Sequence, residues 1–511
     1  MKTFASVYIG SYEISLKIFE LSAKKPMKEV EHIRSRIDLG RESFTDGILN
    51  YQTVDKLCEI LLNFKGVMQE YAVDDYEVYA SAVIRDLTNQ LLVLNQIFLR
   101  TGFQVEIVSN SEHRFITYKS VAGRKEFEQM ITTSAAVVDI GGSSIQITIF
   151  RNKELITTQH LEIGTMRLRS QFENLGQSKK NYLSQMDEYI NKKLEVLRSL
   201  YAKESIENVI FVNDYCSELV KKIDYDSKTD GLIKGEKLLK YLDKLQKKSI
   251  EEICMELRLS NAKDPLILPS ISLFKGIIIN LNCNVVWVSD SNFNDGIAYD
   301  YARRHELVKG THDFETDIIS ASRNLAKHYQ SHSPHIDALE EQALKIFDAM
   351  KKIHGMKGRE RLLLEVAVIL HDCGKYVSIV NSSYMAYQII MSSEIIGLSH
   401  NEREIVGLTV LYNHVALPQY ETLADKISEE SYITVAKLSA ILRVANALDQ
   451  SHKQKFKNIK VSLKDKELTI LVESFEDISL EQALFETKTQ YFENVFSIKP
   501  VLKEKRIYNY D

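Results

Sequence analysis

The first forty residues alternate apolar and polar positions in the manner of β-strands. An apolar run at residues 4–9 ends at the pair Gly10-Ser11, and residues 14–20 alternate again before the chain turns near Pro26. A third strand-like segment covers residues 30–40. A period of two places one set of side chains on a buried face and the other on solvent. The pattern therefore predicts three strands in succession.

The apolar period changes to that of a helix at residues 53–71. The apolar positions there are Val54, Leu57, Ile60, Leu61, Phe64 and Met68. A strand at residues 76–80, a helix at residues 87–101 and a strand at residues 104–108 are predicted to follow. Alternating strands and helices favour a mixed α/β domain, which we place at residues 1–125.

A similar order of elements returns later in the chain. An apolar strand at residues 135–139 ends in the turn Asp139-Ile140-Gly141-Gly142-Ser143-Ser144, and strands are predicted at residues 146–151 and 154–162. The order of strand, glycine turn, strand and strand is the one that opens the chain. We therefore expect a second, similar α/β domain at residues 126–304.

Helical periodicity dominates from about residue 305 onward. It covers residues 316–330, 335–352, 361–371, 401–414 and 435–449, and ten of the thirteen histidines follow residue 300. We predict an all-α domain at residues 310–452. A hairpin near residues 459–472 and a helix that begins with Ser479 predict a small α+β subdomain at residues 455–511.

Composition narrows the classes of function. The 511 residues carry a net charge of -5, with 44% hydrophobic and 26% charged residues, which is typical of globular domains. No general basic field is available for DNA or for an anionic membrane, so we expect neither partner. Five cysteines without CxxC spacing, and the lack of an apolar leader, predict a reduced, cytoplasmic protein.

Three segments of the first 150 residues have the character of phosphate-handling loops. Gly10-Ser11 follows a strand, and a glycine there lets backbone N–H groups approach an oxyanion. The Gly141-Gly142-Ser143 turn is similar, and Asp139 before it would suit a Mg²⁺ ion. Arg85 follows a strand and would pair with phosphate oxygens. A structural hairpin is the alternative for each loop taken singly.

Taken in this order, these pieces resemble the exopolyphosphatase and guanosine pentaphosphate phosphohydrolase (Ppx/GppA) family. The matching segments are Val105-Glu106-Ile107-Val108-Ser109, Asp139-Ile140-Gly141-Gly142, Gly164-Thr165-Met166-Arg167-Leu168, Leu268-Pro269, Val288-Ser289-Asp290 and Asp295-Gly296. The resemblance implies two actin-like (ribonuclease H-like) domains with a phosphate cleft between them. It also implies polyphosphate or a guanosine penta- or tetraphosphate as substrate, and a homodimer.

The chain departs from the family pattern at several positions. Tyr8 and Gln146 stand where the family has acidic residues, and the segment 213–216 replaces a glycine-rich phosphate loop. The catalytic base of the family falls at His113, next to Glu112. Two interpretations remain open: either residue acts as a base, or the cleft has lost its base and only binds a ligand.

The helical region carries a second candidate centre. His371-Asp372 ends an apolar helix, His335 begins an earlier helix and Asp449 ends a later one. This arrangement resembles the HD phosphohydrolase superfamily, which implies that the four residues bind a divalent metal, Mg²⁺ or Mn²⁺ in the first place. The alternative is that His371 and Asp372 cap helices and His335 is a surface residue.

The sequence thus supports three functional hypotheses. The first is an exopolyphosphatase-like phosphohydrolase that releases terminal phosphate from polyphosphate or a pppGpp-type nucleotide, slowly because its cleft is altered. The second is an HD metal-dependent phosphohydrolase with a ligand-sensing N-terminal half. The third is a non-catalytic regulator that binds polyphosphate or an alarmone.

Overall fold

The chain forms two compact units, Met1–Asp313 and Phe314–Asp511. The structure is a computed structural model and describes residues 2–173, 179–201, 205–212, 232–259, 265–289, 291–308, 310 and 312–506. Each helix in these ranges is too short or too polar to cross a membrane.

The first unit contains two sheets with helices packed against them. Its strands are β1 (Lys2–Ile9), β2 (Glu13–Ser22), β3 (Lys25–Arg36), β4 (Asp75–Ala80), β5 (Glu106–Ile107), β6 (Ser134–Ile140), β7 (Ile145–Arg151), β8 (Glu154–Leu161), β9 (Asn208–Val212), β10 (Leu232–Lys234) and β11 (Val285–Ser289). Its helices are α1 (Leu39–Asp46), α2 (Tyr51–Glu70), α3 (Ala82–Arg85), α4 (Gln90–Thr101), α5 (Asn110–Ala122), α6 (Lys125–Met130), α7 (Thr165–Glu173), α8 (Lys179–Tyr201), α9 (Gly235–Gln246), α10 (Ile250–Glu256), α11 (Ile267–Leu281) and α12 (Phe293–Arg304).

The two sheets repeat one topology. The first has the order β3-β2-β1-β4-β5, and the second has β8-β7-β6-β9-β11 with β10 added at its edge. In both, the opening strand is antiparallel to the next strand and parallel to the strand that returns through helices. Each glycine turn therefore follows the central strand of its sheet, at the edge where parallel strands end. Ligands of open α/β sheets bind at such an edge.

The last helix of the first unit does not stay with the second sheet. Helix α12 packs against α5 and against strands β1 and β2. Asn294 accepts a hydrogen bond from the hydroxyl of Ser6 (2.8 Å), and Asp295 forms a buried ion pair with Lys17 (2.9 Å). The predicted division into residues 1–125 and 126–304 thus separates two sheets, while the final helix returns to the first of them.

The second unit begins with seven helices in its described residues. They are α13 (Phe314–His328), α14 (Ser333–Ala349), α15 (Lys351–His354), α16 (Gly358–Leu370), α17 (Ser382–Ser392), α18 (His400–Leu411) and α19 (Glu429–Leu448), with short 3₁₀ turns at Cys373–Tyr376 and Tyr420–Thr422. Strands β12 (Phe456–Lys464) and β13 (Glu467–Ser474), helix α20 (Ser479–Phe496) and strand β14 (Lys499–Arg506) complete it.

The α+β end of the chain shares the core of these helices. Ile470 on β13 and Phe492 on α20 are fully buried in one apolar cluster with Leu364 on α16 and Leu442 on α19. Helix α20 packs directly along α19. The described part of residues 455–511, which the sequence analysis separated as a subdomain, therefore shares its apolar core with the helical region.

Candidate functional sites

The first unit contains a cavity of about 240 Å³ where the two glycine turns meet. Its lining includes Gly10 and Ser11 from the first turn, and Asp139, Gly141 and Gly142 from the second. His113, 26 residues before Asp139 in the chain, also lines it. These six are the predicted phosphate-site residues that the fold brings together, and Tyr8 lies beside them.

The two turns close in the same way. The N–H of Gly10 donates to the carbonyl of Glu13 (2.9 Å), and the N–H of Gly141 donates to the carbonyl of Ser144 (3.0 Å). A Cβ at Gly10 would lie 2.9 Å from that Glu13 oxygen, so a side chain does not fit. The second turn is held further by Gly164, whose Cβ position lies 2.3 Å from the carbonyl oxygen of Gly142. Both glycine positions are thus required by close backbone approach.

His113 is locked in an aromatic cluster. Its Nε2 lies 2.8 Å from the hydroxyl of Tyr8, and its ring stacks on Phe293 with the centroids 4.3 Å apart. Burial, assisted by the guanidinium groups of Arg114 and Arg85, lowers the pKa of His113 to about 3. The imidazole is therefore neutral near pH 7 and a weak base, and its outward nitrogen is engaged by Tyr8. This geometry disfavours His113 as the base that activates water in the cleft.

Three predicted residues do not line the cavity. The carboxylate of Glu112 accepts from the N–H of Ser109 (2.8 Å), and Ser109 caps the N–H of Glu112 in return, so this acid closes a capping box at the start of α5. Arg85 pairs with Asp86 (2.8 Å) and donates to Asn110. Ser143 is also outside the lining. The local capping pattern explains Glu112 without catalysis.

Asp139 is the predicted carboxylate that does face the cavity. Burial raises its pKa to about 6, although the nearby Arg114 guanidinium opposes the rise. Gln146 is its direct partner across strands β6 and β7, and the Gln146 amide donates to Thr148 (3.3 Å). An acid at residue 146 would place two carboxylates side by side. The glutamine therefore leaves Asp139 without a second carboxylate beside it, so a Mg²⁺ ion here would have fewer protein ligands. Residues 213–216 and Asp290 lie outside the described residues.

Sequence analysis missed two arginines in the lining. Arg34 and Arg36 occupy alternate positions of β3, which puts both on the face of the sheet that borders the cavity. The Nε of Arg34 donates to the carboxylate of Glu13 (2.7 Å), which fixes its guanidinium beside the first turn. The alternating Arg-Ser-Arg at the end of the strand is the signal that would have revealed them. They bring positive charge to a cleft that lacks paired acids.

Replacing Asp139 by asparagine should stabilise the protein at pH 7 by about 3 kcal/mol, because its pKa is raised from 3.8 to about 6 and one pKa unit corresponds to about 1.4 kcal/mol. The folded-state pKa of about 6 exceeds the ordinary 3.8, so the ionised carboxylate destabilises the fold. The protonated carboxyl group of Asp139 contributes its full stability below pH 4, and this contribution is lost as the pH rises through 6. Denaturant unfolding of wild type and Asp139→Asn at pH 7 and pH 4 measures the difference. A variant that is less stable than wild type at pH 7 contradicts this assignment.

The second unit holds a buried cluster of His335, His371 and Asp372. One potential ligand atom of each lies within 4.8 Å of the others. The two imidazole Nε2 atoms are 3.2 Å apart, and Nε2 of His371 is 3.4 Å from Oδ1 of Asp372. Ligands held about 2.1 Å from one metal ion in tetrahedral or octahedral angles are separated by about 3.0–3.4 Å. The spacing fits the separation expected of ligands to one metal ion.

Hydrogen bonds select the metal-binding form of both histidines. Nδ1 of His371 donates to the carbonyl of Val368 (2.7 Å), and Nδ1 of His335 donates to Oδ2 of Asp449 (2.7 Å). In the neutral tautomers that these bonds favour, each Nε2 carries a lone pair directed at the other. Burial lowers the pKa of His371 to about 4, so its ring is neutral at pH 7. Two acceptors in contact are stabilised by a cation, and the donor set fits a divalent metal.

Asp449 takes a different position from the one the sequence predicted. Its Oδ2 contacts the far nitrogen of His335, and Gln454 donates to both of its oxygens (2.8 and 2.9 Å). The structure therefore places it behind His335, where it orients the ring, while the other three predicted ligands converge. Asp372 also accepts from Lys375 (2.6 Å). Burial alone would raise the pKa of Asp372, but His371 and Lys375 lower it to about 2.

His452 is a further member of this site that the sequence analysis missed. Its ring stacks on His335 with the centroids 3.7 Å apart and the planes 12° apart. The loop after α19 puts both His452 (φ 55°) and Gln454 (φ 49°) in the left-handed region, which is uncommon for residues with a side chain. The strained loop thus holds one residue over His335 and another on Asp449.

Comparison with known proteins relates both units to one family. The model of the Ppx/GppA phosphatase family matches residues 17–305, and the model of Ppx/GppA phosphatase domain III matches residues 319–490. A guanosine-5'-triphosphate,3'-diphosphate pyrophosphatase of Aeromonas salmonicida is 19% identical over 450 residues, which is 86% of each chain. A bifunctional 3-dehydroquinate synthase/phosphatase of Fusobacterium nucleatum is 22% identical over 178 residues, 33% of this chain and 26% of that protein.

Solved structures agree in fold. A Ppx/GppA family member of Aquifex aeolicus, 19% identical, has a TM-score of 0.50 and covers 61% of this chain and 99% of its own. An exopolyphosphatase of Cytophaga hutchinsonii, 16% identical, has a TM-score of 0.53 and covers 60% and 100%. These likenesses show the mixed α/β fold with its two actin-like halves. The family resemblance read from the motifs is confirmed, whereas the metal site of the second unit stays a prediction.

Proposed function

Because this chain belongs to the Ppx/GppA phosphatase family, we propose that it acts on the terminal phosphate of a linear phosphoanhydride, namely polyphosphate or a pppGpp-type nucleotide. One observation carries the proposal. The two equivalent glycine turns, Gly10-Ser11 and Gly141-Gly142, open into a single cavity that also contains two arginines. Backbone amides with guanidinium groups form a recognition site for phosphate oxygens.

Different residues of the cleft serve phosphate binding and catalysis. The glycine turns approach the phosphoryl oxygens through their backbones, and Arg34 and Arg36 balance the charge. Hydrolysis needs a group that orients the attacking water. Asp139 is the best-placed acid for that role, because Glu112 caps a helix and His113 is bonded to Tyr8. Because the position of the family's base is occupied by His113, which has a low pKa and is bonded to Tyr8, we expect turnover to be slow.

The cleft is a poor site for a divalent cation. Of its acids, Asp139 faces Gln146 across the sheet and Glu13 is paired with Arg34. Tyr8 occupies the first-turn position where the family has an acid. We therefore assign charge neutralisation in this cleft mainly to Arg36, since the charge of Arg34 is balanced by Glu13.

Phosphate release and binding test this function directly. We expect Asp139→Asn to lower phosphate release from long-chain polyphosphate by about 10²-fold or more, since a positioned acid or base contributes about 10²–10⁴-fold. Arg36→Met should weaken polyphosphate binding, whereas Arg41→Met, an exposed arginine outside the cavity lining, should not. Equal binding by the two arginine variants would contradict the proposed cleft.

The convergence of His335, His371 and Asp372 favours a second candidate. In it, the second unit is an HD-type metal-dependent phosphohydrolase and the first unit senses a phosphorylated ligand. A bound divalent ion would supply Lewis-acid activation of water or phosphate. The two imidazoles and Asp372 would hold it, and Asp449 would keep His335 oriented. Phosphate release that survives Asp139→Asn but not His371→Ala selects this candidate. Tight binding without any release selects a regulator.

A further inference from the structure

The loop at residues 449–455, which follows α19, controls the surroundings of the His335 imidazole. Oδ2 of Asp449 accepts a hydrogen bond from Nδ1 of His335 (2.7 Å), and the ring of His452 stacks on the same imidazole. Gln454 donates to both oxygens of Asp449. Both His452 and Gln454 have a positive φ, a conformation that persists only where surrounding contacts hold it. The orientation of His335 therefore depends on what holds this loop.

The far end of the loop is held by a buried ion pair. Nζ of Lys455 donates to Oε2 of Glu481 on α20 (2.8 Å) and to the carbonyl of Asp477 (2.8 Å). The side chains of Lys455 and Glu481 are only 11% and 1% exposed. The hydroxyl of Ser474 donates to the carbonyl of Lys455 (3.1 Å). These bonds fix the residue that directly follows Gln454 in the chain.

The chemistry of this pair favours a positioning role over a purely stabilising one. A buried ion pair contributes little net stability, because removing both charges from water offsets their attraction. Burial alone would raise the pKa of Glu481, but Lys455 and the hydroxyl of Ser451 lower it, so the carboxylate is ionised at pH 7. Ser451 belongs to the same loop as Lys455. The carboxylate of Glu481 thus interacts with the loop at two points.

We propose that the ion pair between Lys455 and Glu481 is a positioning pair, which holds residues 449–455 so that Asp449 keeps Nε2 of His335 directed at the other two candidate metal ligands. The inference rests on the metal site of the second candidate function. Lys455 and Glu481 act through the loop and not as ligands. Through Glu481, the α+β end of the chain takes part in shaping a site that the helices alone would leave incomplete.

Metal titration of matched variants tests this role. Glu481→Gln should lower the affinity of the full-length protein for Mn²⁺ by about 10-fold, the lower end of the effect of residues that orient a metal ligand. Glu402→Gln is the control, because Glu402 also lies in the first turn of its helix and pairs with Arg359 (2.6 Å) on α16. It should bind Mn²⁺ as wild type does. A Glu481→Gln variant that binds as tightly as Glu402→Gln would overturn the proposal.

Histidine NMR of the metal-free protein tests the orientation of His335 without a metal. In protein with isotope-labelled histidines, the Nδ1–H proton of His335, bonded to the Asp449 carboxylate, should give a signal far downfield. Glu481→Gln should shift or broaden this signal, whereas Glu402→Gln should leave it in place. An unchanged signal in Glu481→Gln would refute the positioning role. Wild-type protein that gives the signal but binds no Mn²⁺ would overturn the metal site alone.

A double variant separates positioning from stability. Lys455→Met with Glu481→Met removes both charges, and replacing both partners of a buried ion pair by apolar side chains is often neutral for stability, whereas removing one partner is not. The double variant should therefore recover the melting temperature that Glu481→Gln loses, but not the affinity for Mn²⁺ or the His335 signal. Recovery of all three would show that the pair serves stability only.

Discussion

Replacing Tyr8 by aspartate together with His113 by glutamate should raise phosphate release from polyphosphate by about 10²-fold or more and make it dependent on Mg²⁺. The hydroxyl of Tyr8 and the Nε2 of His113 are 2.8 Å apart at the edge of the cavity. Two carboxylates at these positions would point at each other beside Asp139. Their repulsion would raise each other's pKa unless a cation lies between them.

Two controls separate this effect from simple disruption of the aromatic cluster. Tyr8→Phe removes the hydrogen bond to His113 but adds no carboxylate, and it should give no increase in rate. Thermal unfolding with and without Mg²⁺ should show stabilisation by the ion in the double variant alone. A folded double variant that is no faster than wild type, or that is indifferent to Mg²⁺, would show that acid loss at these positions does not limit the rate.

His371→Ala and His335→Ala should each lower the affinity of the second unit for Mn²⁺ or Zn²⁺ by more than about 100-fold. Each removes one of three converging candidate ligands, and two remaining groups would bind such ions weakly. Asp449→Asn should lower the metal affinity less, by about 10–100-fold, because Asp449 acts by orienting His335. Isothermal titration with the metal salt and metal analysis of the purified protein measure the three affinities.

His400→Ala is the matched control for the histidine variants. His400 is exposed at the start of α18, in the same unit. Its loss should leave metal affinity unchanged. Wild-type protein that binds no transition ion, or His400→Ala that loses as much affinity as His371→Ala, would disprove the site. A larger loss for Asp449→Asn than for His371→Ala would make Asp449 a direct ligand, as the sequence predicted.

The fold was predictable where the sequence carries a local period. The apolar run at residues 4–9 and the alternation at residues 14–20 correspond to strands β1 and β2, and the repeat of that order near residue 135 corresponds to the second sheet. The helical period of residues 361–371 corresponds to α16. The local pattern does not show which element a helix packs against in the folded chain. Helix α12 returns to the first sheet because Asn294 and Asp295 find their partners there.

In the cleft, too, features that depend on neighbouring residues were predictable, and features that depend on distant residues were not. Glycine turns that follow central strands were visible in the sequence, because only a residue without Cβ tolerates the backbone approach at Gly10 and Gly164. The roles of Glu112 and Arg85 were not, since each finds a local partner that a spacing argument does not weigh. Arg34 and Arg36 were not predicted as site residues, because charged residues at the end of a strand usually face solvent.

By itself, then, the sequence determined the element order, the two glycine turns and the placing of His335, His371 and Asp372 at helix ends, since these depend on neighbours within a few residues. The tertiary structure alone decided how the side chains behave. His113 has a low pKa because Tyr8 and Phe293, 105 residues before it and 180 after it, enclose its ring. Asp449 orients His335 from behind because the loop through Gln454 directs both its oxygens. Desolvation and hydrogen-bond direction arise only when distant segments meet.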